Sequence, residues 1–181
     1  MKPGKLAISL MVVMLFAAIG YFSLPAPGPT TSPDITLVTT EGEQLALDSL
    51  RGRPLLVTFW ATTCTACLKE MPHLIELYKE LAPRGLKVIG IAMHYDPPNQ
   101  VLAMRKSRNI PYTIALDIRA EAAQAFGDVR VTPSTFLIAP DGRIVYRQAG
   151  ALSMERLKKR ILALLDSDIA RNRPMTDGPN T

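Results

Sequence analysis

The sequence predicts an α/β fold, a mixed central sheet flanked by helices, on three observations. Apolar runs of strand length alternate with stretches of helical periodicity from residue 34 to residue 166. Two runs, Leu55 to Trp60 (LLVTFW) and Leu86 to Met93 (LKVIGIAM), are apolar almost throughout, as strands covered on both faces are. Near the end, two short strands meet at Pro140-Asp141-Gly142, a strong hairpin turn, and a helix follows.

The elements follow in order. Asp34 to Val38 and Gln44 to Leu47 flank Glu41-Gly42, which predicts a small N-terminal β-hairpin. Leu55 to Trp60 is a central strand. Thr65 to Leu81 is a helix, because Met71, Leu74, Ile75, Leu77, Tyr78 and Leu81 recur at helical spacing. Pro72 interrupts its hydrogen-bond ladder and should bend it. Leu86 to Met93 is a second buried strand. Pro98 to Arg108 reads as a helix, Tyr112 to Leu116 as a short strand, and Ala120 to Phe126 as a helix. Thr135 to Ala139 and Ile144 to Gln148 form the closing hairpin. Ser153, a good N-cap, opens a last helix to Leu165 with a stripe of Leu157, Ile161, Leu164 and Leu165. The strand–helix–strand part requires parallel strands with a right-handed crossover, and the hairpins add antiparallel ones.

The ends of the chain read differently. Lys2 and Lys5 precede Leu6 to Leu24, which carries no charged residue. As a helix this stretch is about 28 Å long, close to the thickness of a bilayer core. Residues 1–24 are therefore expected to be an N-terminal membrane anchor. A cleaved signal peptide is the alternative, since Ala18-Ile19-Gly20 is a small-x-small triplet. The anchor is favoured because the apolar run continues past that triplet and Pro27 follows Ala26, spoiling the other cut. No cysteine follows the run, which excludes a lipoprotein anchor. On either reading everything after Leu24 is exported. Residues 25–33, PAPGPTTSP, read as an extended Pro-rich linker, and 167–181 as a polar tail. The 181 residues suffice for one domain with a full core, assigned to 34–166. The net charge of +5 comes without a dense Lys/Arg block, which argues against nucleic acid as a partner.

The chain has two cysteines, Cys64 and Cys67, at the junction of the LLVTFW strand and the next helix. A structural staple over so short a loop removes little entropy from the unfolded chain. Zinc requires about four ligands, and only His73 and His94 remain as soft candidates, neither suitably spaced, so no metal is expected. A redox pair fits the position. The first turn of a helix offers unpaired N–H groups and the positive end of the dipole, which stabilise a thiolate at Cys64. Cys67 lies one turn on, within disulfide reach, and can resolve a mixed disulfide.

With these cysteines placed, residues 34–166 resemble the thioredoxin superfamily, specifically the membrane-anchored TlpA/ResA-like thiol–disulfide oxidoreductases. The likeness rests on Phe59-Trp60-Ala61 before the pair, on Cys64-x-x-Cys67, on Glu70 and Pro72 in the helix, and on Val131 to Ile138 with Pro140-Asp141-Gly142 behind it. It implies a thioredoxin-like fold and a cis Thr132–Pro133 bond facing the disulfide, where the Thr132 backbone pairs with an extended substrate. It implies that Trp60 packs beside the disulfide and that Glu70 tunes thiol titration; a carboxylate near a thiolate opposes its ionisation and can relay its proton. Two positions depart from the superfamily pattern. Thr58 stands where cytosolic thioredoxins carry a buried aspartate, a task Glu70 can take over, and Ala66 stands where a proline often precedes the second cysteine.

The resemblance further implies disulfide-bearing substrate proteins as partners and no cofactor. It implies a DsbD/CcdA-type membrane thiol donor and a catalytic domain on the periplasmic side of a bacterial cytoplasmic membrane. Cytochrome c maturation is one pathway it offers, protection of cysteine proteins another. Two rivals are weighed. A peroxiredoxin-like peroxidase needs a threonine three residues before the attacking cysteine, where Ala61 stands. A copper-holding module would use both thiolates with a methionine such as Met71.

Overall fold

The LLVTFW strand, buried at every position, lies inside the sheet and is paired on both sides. The computed structural model describes residues 11–15 and 28–172, with side chains to residue 167. Its strands are β1 (Thr36–Thr39), β2 (Gln44–Ala46), β3 (Leu55–Trp60), β4 (Lys87–Ala92), β5 (Thr113–Leu116), β6 (Ser134–Ile138) and β7 (Ile144–Ala149). They form one sheet in the order β2-β1-β5-β4-β3-β6-β7. β3 runs parallel to β4 and β4 to β5, while the β1–β2, β1–β5, β3–β6 and β6–β7 pairs are antiparallel. The helices are α1 (Thr65–Leu81), α2 (Pro98–Ser107), α3 (Glu121–Ala125) and α4 (Met154–Asn172). This is the thioredoxin-like mixed sheet with an N-terminal hairpin that the sequence led us to expect. α1 runs uninterrupted through Pro72.

Alternation along β3 divides the interior into two layers. Leu56 and Trp60 face α1 and α4, packing among Met71, Leu74, Leu77, Leu81, Leu157, Ile161 and Leu165. Leu55, Val57 and Phe59 face the other way, toward Ala122, Ala123, Phe126 and Phe136. There three rings pack in a cluster: Phe59 lies 5.3 Å from Phe126 and 6.0 Å from Phe136, and those two are 4.9 Å apart. Burying one such side chain contributes about 1.5–3 kcal/mol. Because β3 feeds both layers, its place in the sheet and its register are fixed together.

The ends depart from the sequence reading in two places. The polar tail expected from residue 167 begins as helix, since α4 continues to Asn172. No glycine or proline interrupts it there, and Asp166 holds Arg84 at 2.7 Å. Residues 29–32 do not run free as a linker: they lie along the outer edge of β7. Ile144 N–H donates to Thr30 O at 2.8 Å, Ser32 N–H donates to Gly142 O at 2.7 Å, and the Arg147 guanidinium donates to Pro29 O. An edge strand presents unpaired backbone groups, and this strap satisfies part of that edge. The predicted anchor falls outside the described residues except for 11–15, which are helical and exposed. Among the described residues no helix is long and apolar enough to cross a membrane.

β4 carries a glycine where a side chain would crowd two buried neighbours. A Cβ at Gly90 would stand 2.8 Å from Ile114 Cδ1 and 3.2 Å from Trp60 Nε1, and both side chains are buried. Gly90→Val is expected to cost about 1–3 kcal/mol by overpacking, read from a urea melt. Trp60 is the sole tryptophan, so the same variant should also shift the intrinsic emission. An unchanged midpoint and spectrum would show that the Trp60 layer is loosely packed.

Candidate active site

The end of β3 delivers the chain to the site. Met93 N–H donates to Trp60 O at 3.0 Å, the last bond of the β3–β4 pairing. The turn through Ala61, Thr62 and Thr63 follows, closed by Cys64 N–H donating to Ala61 O at 3.1 Å. Buried Asp96 fastens this turn from the β4 side: its carboxylate accepts from Thr62 N–H at 2.6 Å and from the Thr62 hydroxyl at 2.5 Å.

Cys64 is the N-cap of α1. Its sulfur takes the place of the usual capping oxygen and accepts from Cys67 N–H at 3.2 Å. The two cysteines are joined by a disulfide, with Cα atoms 5.3 Å apart. They are not equivalent. Cys64 is half-buried, whereas Cys67 is 5% exposed and belongs to the core facing α1. A thiol arriving from solvent reaches the Cys64 sulfur first. On reduction, the same N–H and helix terminus are in place to stabilise a Cys64 thiolate.

Behind the disulfide lies a cavity of about 10 Å³, near the room one water needs. Thr58, Trp60, Cys67, Glu70, Tyr112 and Pro133 are among its walls. Glu70 is 8% exposed. Its Oε1 accepts from Leu152 N–H at 2.6 Å, and its Oε2 is buried with no hydrogen-bond partner. Burial pushes the carboxyl above the usual glutamate range, partly opposed by the Leu152 N–H and by the positive influence of His73. Burial also pushes the Tyr112 phenol up, so it stays neutral. The Thr58 hydroxyl is within 3.1 Å of the Thr135 hydroxyl across the β3–β6 pair.

Of the residues singled out from sequence, Cys67, Glu70, Trp60 and Pro133 meet at this cavity, and Cys64 caps it through the disulfide. The Thr132–Pro133 peptide is cis. Thr132 itself stands half-buried outside the cavity, next to exposed Val131. His73 is exposed beside Glu76, and His94 packs edge-on against Tyr95. Among the described residues no cluster of His, Cys, Asp or Glu is arranged to hold a metal. Sequence reading passed over Asp96 and Leu152. The Asp-Pro-Pro turn ending a buried strand is a signal for the first; Leu152 contributes a backbone N–H, which no residue type announces.

Comparison with known proteins agrees with this geometry. The Redoxin family profile matches residues 27–163. The thiol-disulfide oxidoreductase ResA of Bacillus cereus (strain ATCC 10987 / NRS 248) is 25% identical over 88% of this chain and 96% of its own. ResA of Bacillus subtilis (strain 168) is 29% identical over 67% of each chain. Among solved structures, a thiol:disulfide interchange protein of the thioredoxin family from Chlorobium tepidum TLS superposes with a TM-score of 0.69. It is 27% identical, and the match covers 77% of this chain and 98% of that one. Fold, cysteine pair and likeness together place this chain in the Redoxin family, as a TlpA/ResA-like thiol–disulfide oxidoreductase of the thioredoxin superfamily.

Proposed function

We propose that this oxidoreductase works in the reducing direction, on disulfides of exported proteins. It does so as a periplasmic domain held to a bacterial cytoplasmic membrane by residues 1–24. The observation that carries thiol exchange at this site is the unequal pair: half-buried Cys64 capping α1, with buried Cys67 behind it. Cys64, as thiolate, attacks one sulfur of a substrate disulfide. A mixed disulfide forms, and the departing substrate thiolate takes up a proton. The Cys67 thiolate then attacks Cys64 Sγ, freeing the second substrate thiol and closing the Cys64–Cys67 disulfide. Two electrons pass from the enzyme dithiol to the substrate. A membrane thiol donor of the DsbD/CcdA type reverses these steps to recharge the enzyme.

The other site residues have supporting roles in this scheme. The backbone at Thr132–Pro133 pairs with an extended substrate segment beside the disulfide. Trp60 walls the site from the sheet. Glu70, with one oxygen in the cavity that Cys67 also lines, accepts the Cys67 proton as that thiol ionises. The uncharged segment Leu6 to Leu24 and the likeness to ResA support the tethered, exported setting. Apocytochrome c and other proteins with exposed disulfides are the substrate class this fits.

Cys64→Ser should abolish insulin-disulfide reduction. Cys67→Ser, expressed in the native host, should accumulate mixed disulfides on Cys64 that name the substrates; absence of any trapped species would sink the exchange scheme. Glu70 gives a second check. Its raised pKa means the folded protein holds this proton more tightly than the unfolded chain. Stability is therefore lost as pH climbs from the ordinary value of 4.5 through the raised one. Oxidised Glu70→Gln should exceed the wild type in stability at neutral pH and lose that advantage below about pH 4.5. A constant difference across pH would show that the carboxyl is not desolvated.

A further inference from the structure

The loop between β7 and α4 reaches both sides of the site through its backbone. Gly150 N–H donates to Pro133 O at 2.8 Å. Two residues later, Leu152 N–H donates to Glu70 Oε1 at 2.6 Å. Residues 150–152 thus connect the carboxylate on α1 with the carbonyl of the cis-proline that opens β6. Gly150 has φ +79°, and nothing lies within 4 Å of where its Cβ would be. Glycine is favoured there by the turn and not by lack of space. The flanks are anchored in regular structure: Ala149 pairs with Ser134, and Leu157 N–H donates to Ser153 O at 3.0 Å. Ala151, between the two donors, is exposed.

We propose that residues 150–152 are a positioning element for thiol exchange, coupling the charge on Glu70 to the placement of the Pro133 peptide. The proposal rests on the reading above, in which Glu70 serves Cys67 and the Thr132–Pro133 backbone receives substrate. A hydrogen bond to an ionised carboxylate is roughly twice as strong as one between neutral partners. When Glu70 takes the Cys67 proton, its hold on Leu152 weakens and the support for Gly150 against Pro133 loosens with it. The substrate edge therefore relaxes as the mixed disulfide is resolved. Coupling of this kind is reciprocal, so substrate paired with the Thr132 backbone, next to Pro133, alters the hold of Glu70 on its proton. The groups facing Glu70 are few. Cys67 and His73 share its helix, Tyr112 lies before β5, and Thr58, Trp60 and Pro133 carry no titrating charge. The loop itself adds only backbone.

The test uses the full chain and two loop variants. Leu152→Pro deletes the N–H that Glu70 accepts from and leaves the carboxylate. Gly150→Ala strains the positive-φ turn and disturbs the Pro133 bond first. The readouts are the pH profile of cysteine alkylation and steady-state reduction of two substrates, an extended disulfide peptide and glutathione disulfide. Leu152→Pro should move the Glu70-dependent step upward by about one pH unit, because the carboxylate loses a donor. It should also raise KM for the peptide several-fold, with a much smaller change for glutathione disulfide. Gly150→Ala should shift the profile in the same direction, and in a Glu70→Gln background the profile should no longer respond to either change. A folded Leu152→Pro with the wild-type profile, or equal losses on both substrates, overturns the coupling. If Leu152→Pro does not fold, a wild-type profile in Gly150→Ala overturns it. A wild-type profile in Glu70→Gln alone overturns the underlying role of Glu70, and the coupling with it.

Discussion

Burial of β3 on both faces is the constraint on which the rest of the structure depends. Each residue of this strand must find an apolar neighbour above or below the sheet. That requirement places it between β4 and β6 and brings α1 down on one face. α1 can cover Leu56 and Trp60 only if it starts just beyond the end of β3 and runs back over the sheet. The point where strand becomes helix is therefore fixed by packing, and the cysteine that caps the helix is fixed with it. Core and chemistry share one cause: the same apolar run that stabilises the domain aims the N-terminus of α1, with its unpaired N–H groups, at the Cys64 sulfur.

The inequality of the two sulfurs follows from the same arrangement. Cys64 sits at the rim, where the chain leaves the sheet. Cys67, one turn further on, is already on the stripe that packs against β3. A large substrate can approach only the first sulfur, and only an intramolecular group can approach it from behind. In the proposed scheme, the order of attack and resolution follows from this helical geometry. Asp96 preserves it by tying Thr62, two residues before Cys64, to the turn after β4.

The parts legible in the sequence were those with local periodicity or a spaced pair of reactive residues. β3 and α1 appear with the bounds that LLVTFW and the following stripe implied, and the closing hairpin turns at Pro140-Asp141-Gly142. What stayed hidden was contact made by backbone. Leu152 bonds Glu70 through its amide, and its side chain gives no hint of this. Residues 29–32 lie against β7 through peptide groups, although PAPGPTTSP has the composition of a free linker. α4 outran its apolar stripe because a helix already anchored by Leu157, Ile161 and Leu165 propagates through polar residues until something stops it.

The source of the acid shows how one site can be built from a different element. With Thr58 on β3, the strand offers a hydroxyl that lies against Thr135 and cannot carry a negative charge. Glu70 approaches the same cavity from α1, because a residue one turn past Cys67 points to the same side of the helix. A carboxylate on a helix facing the core keeps contact with backbone at the loop above it, and here that contact is Leu152. An acid buried in mid-strand would be walled in by neighbouring strands instead. An acid on the helix therefore stands between the buried Cys67 and the loop that also holds Pro133. In the proposed coupling, proton and substrate are linked through these two amides, Gly150 and Leu152.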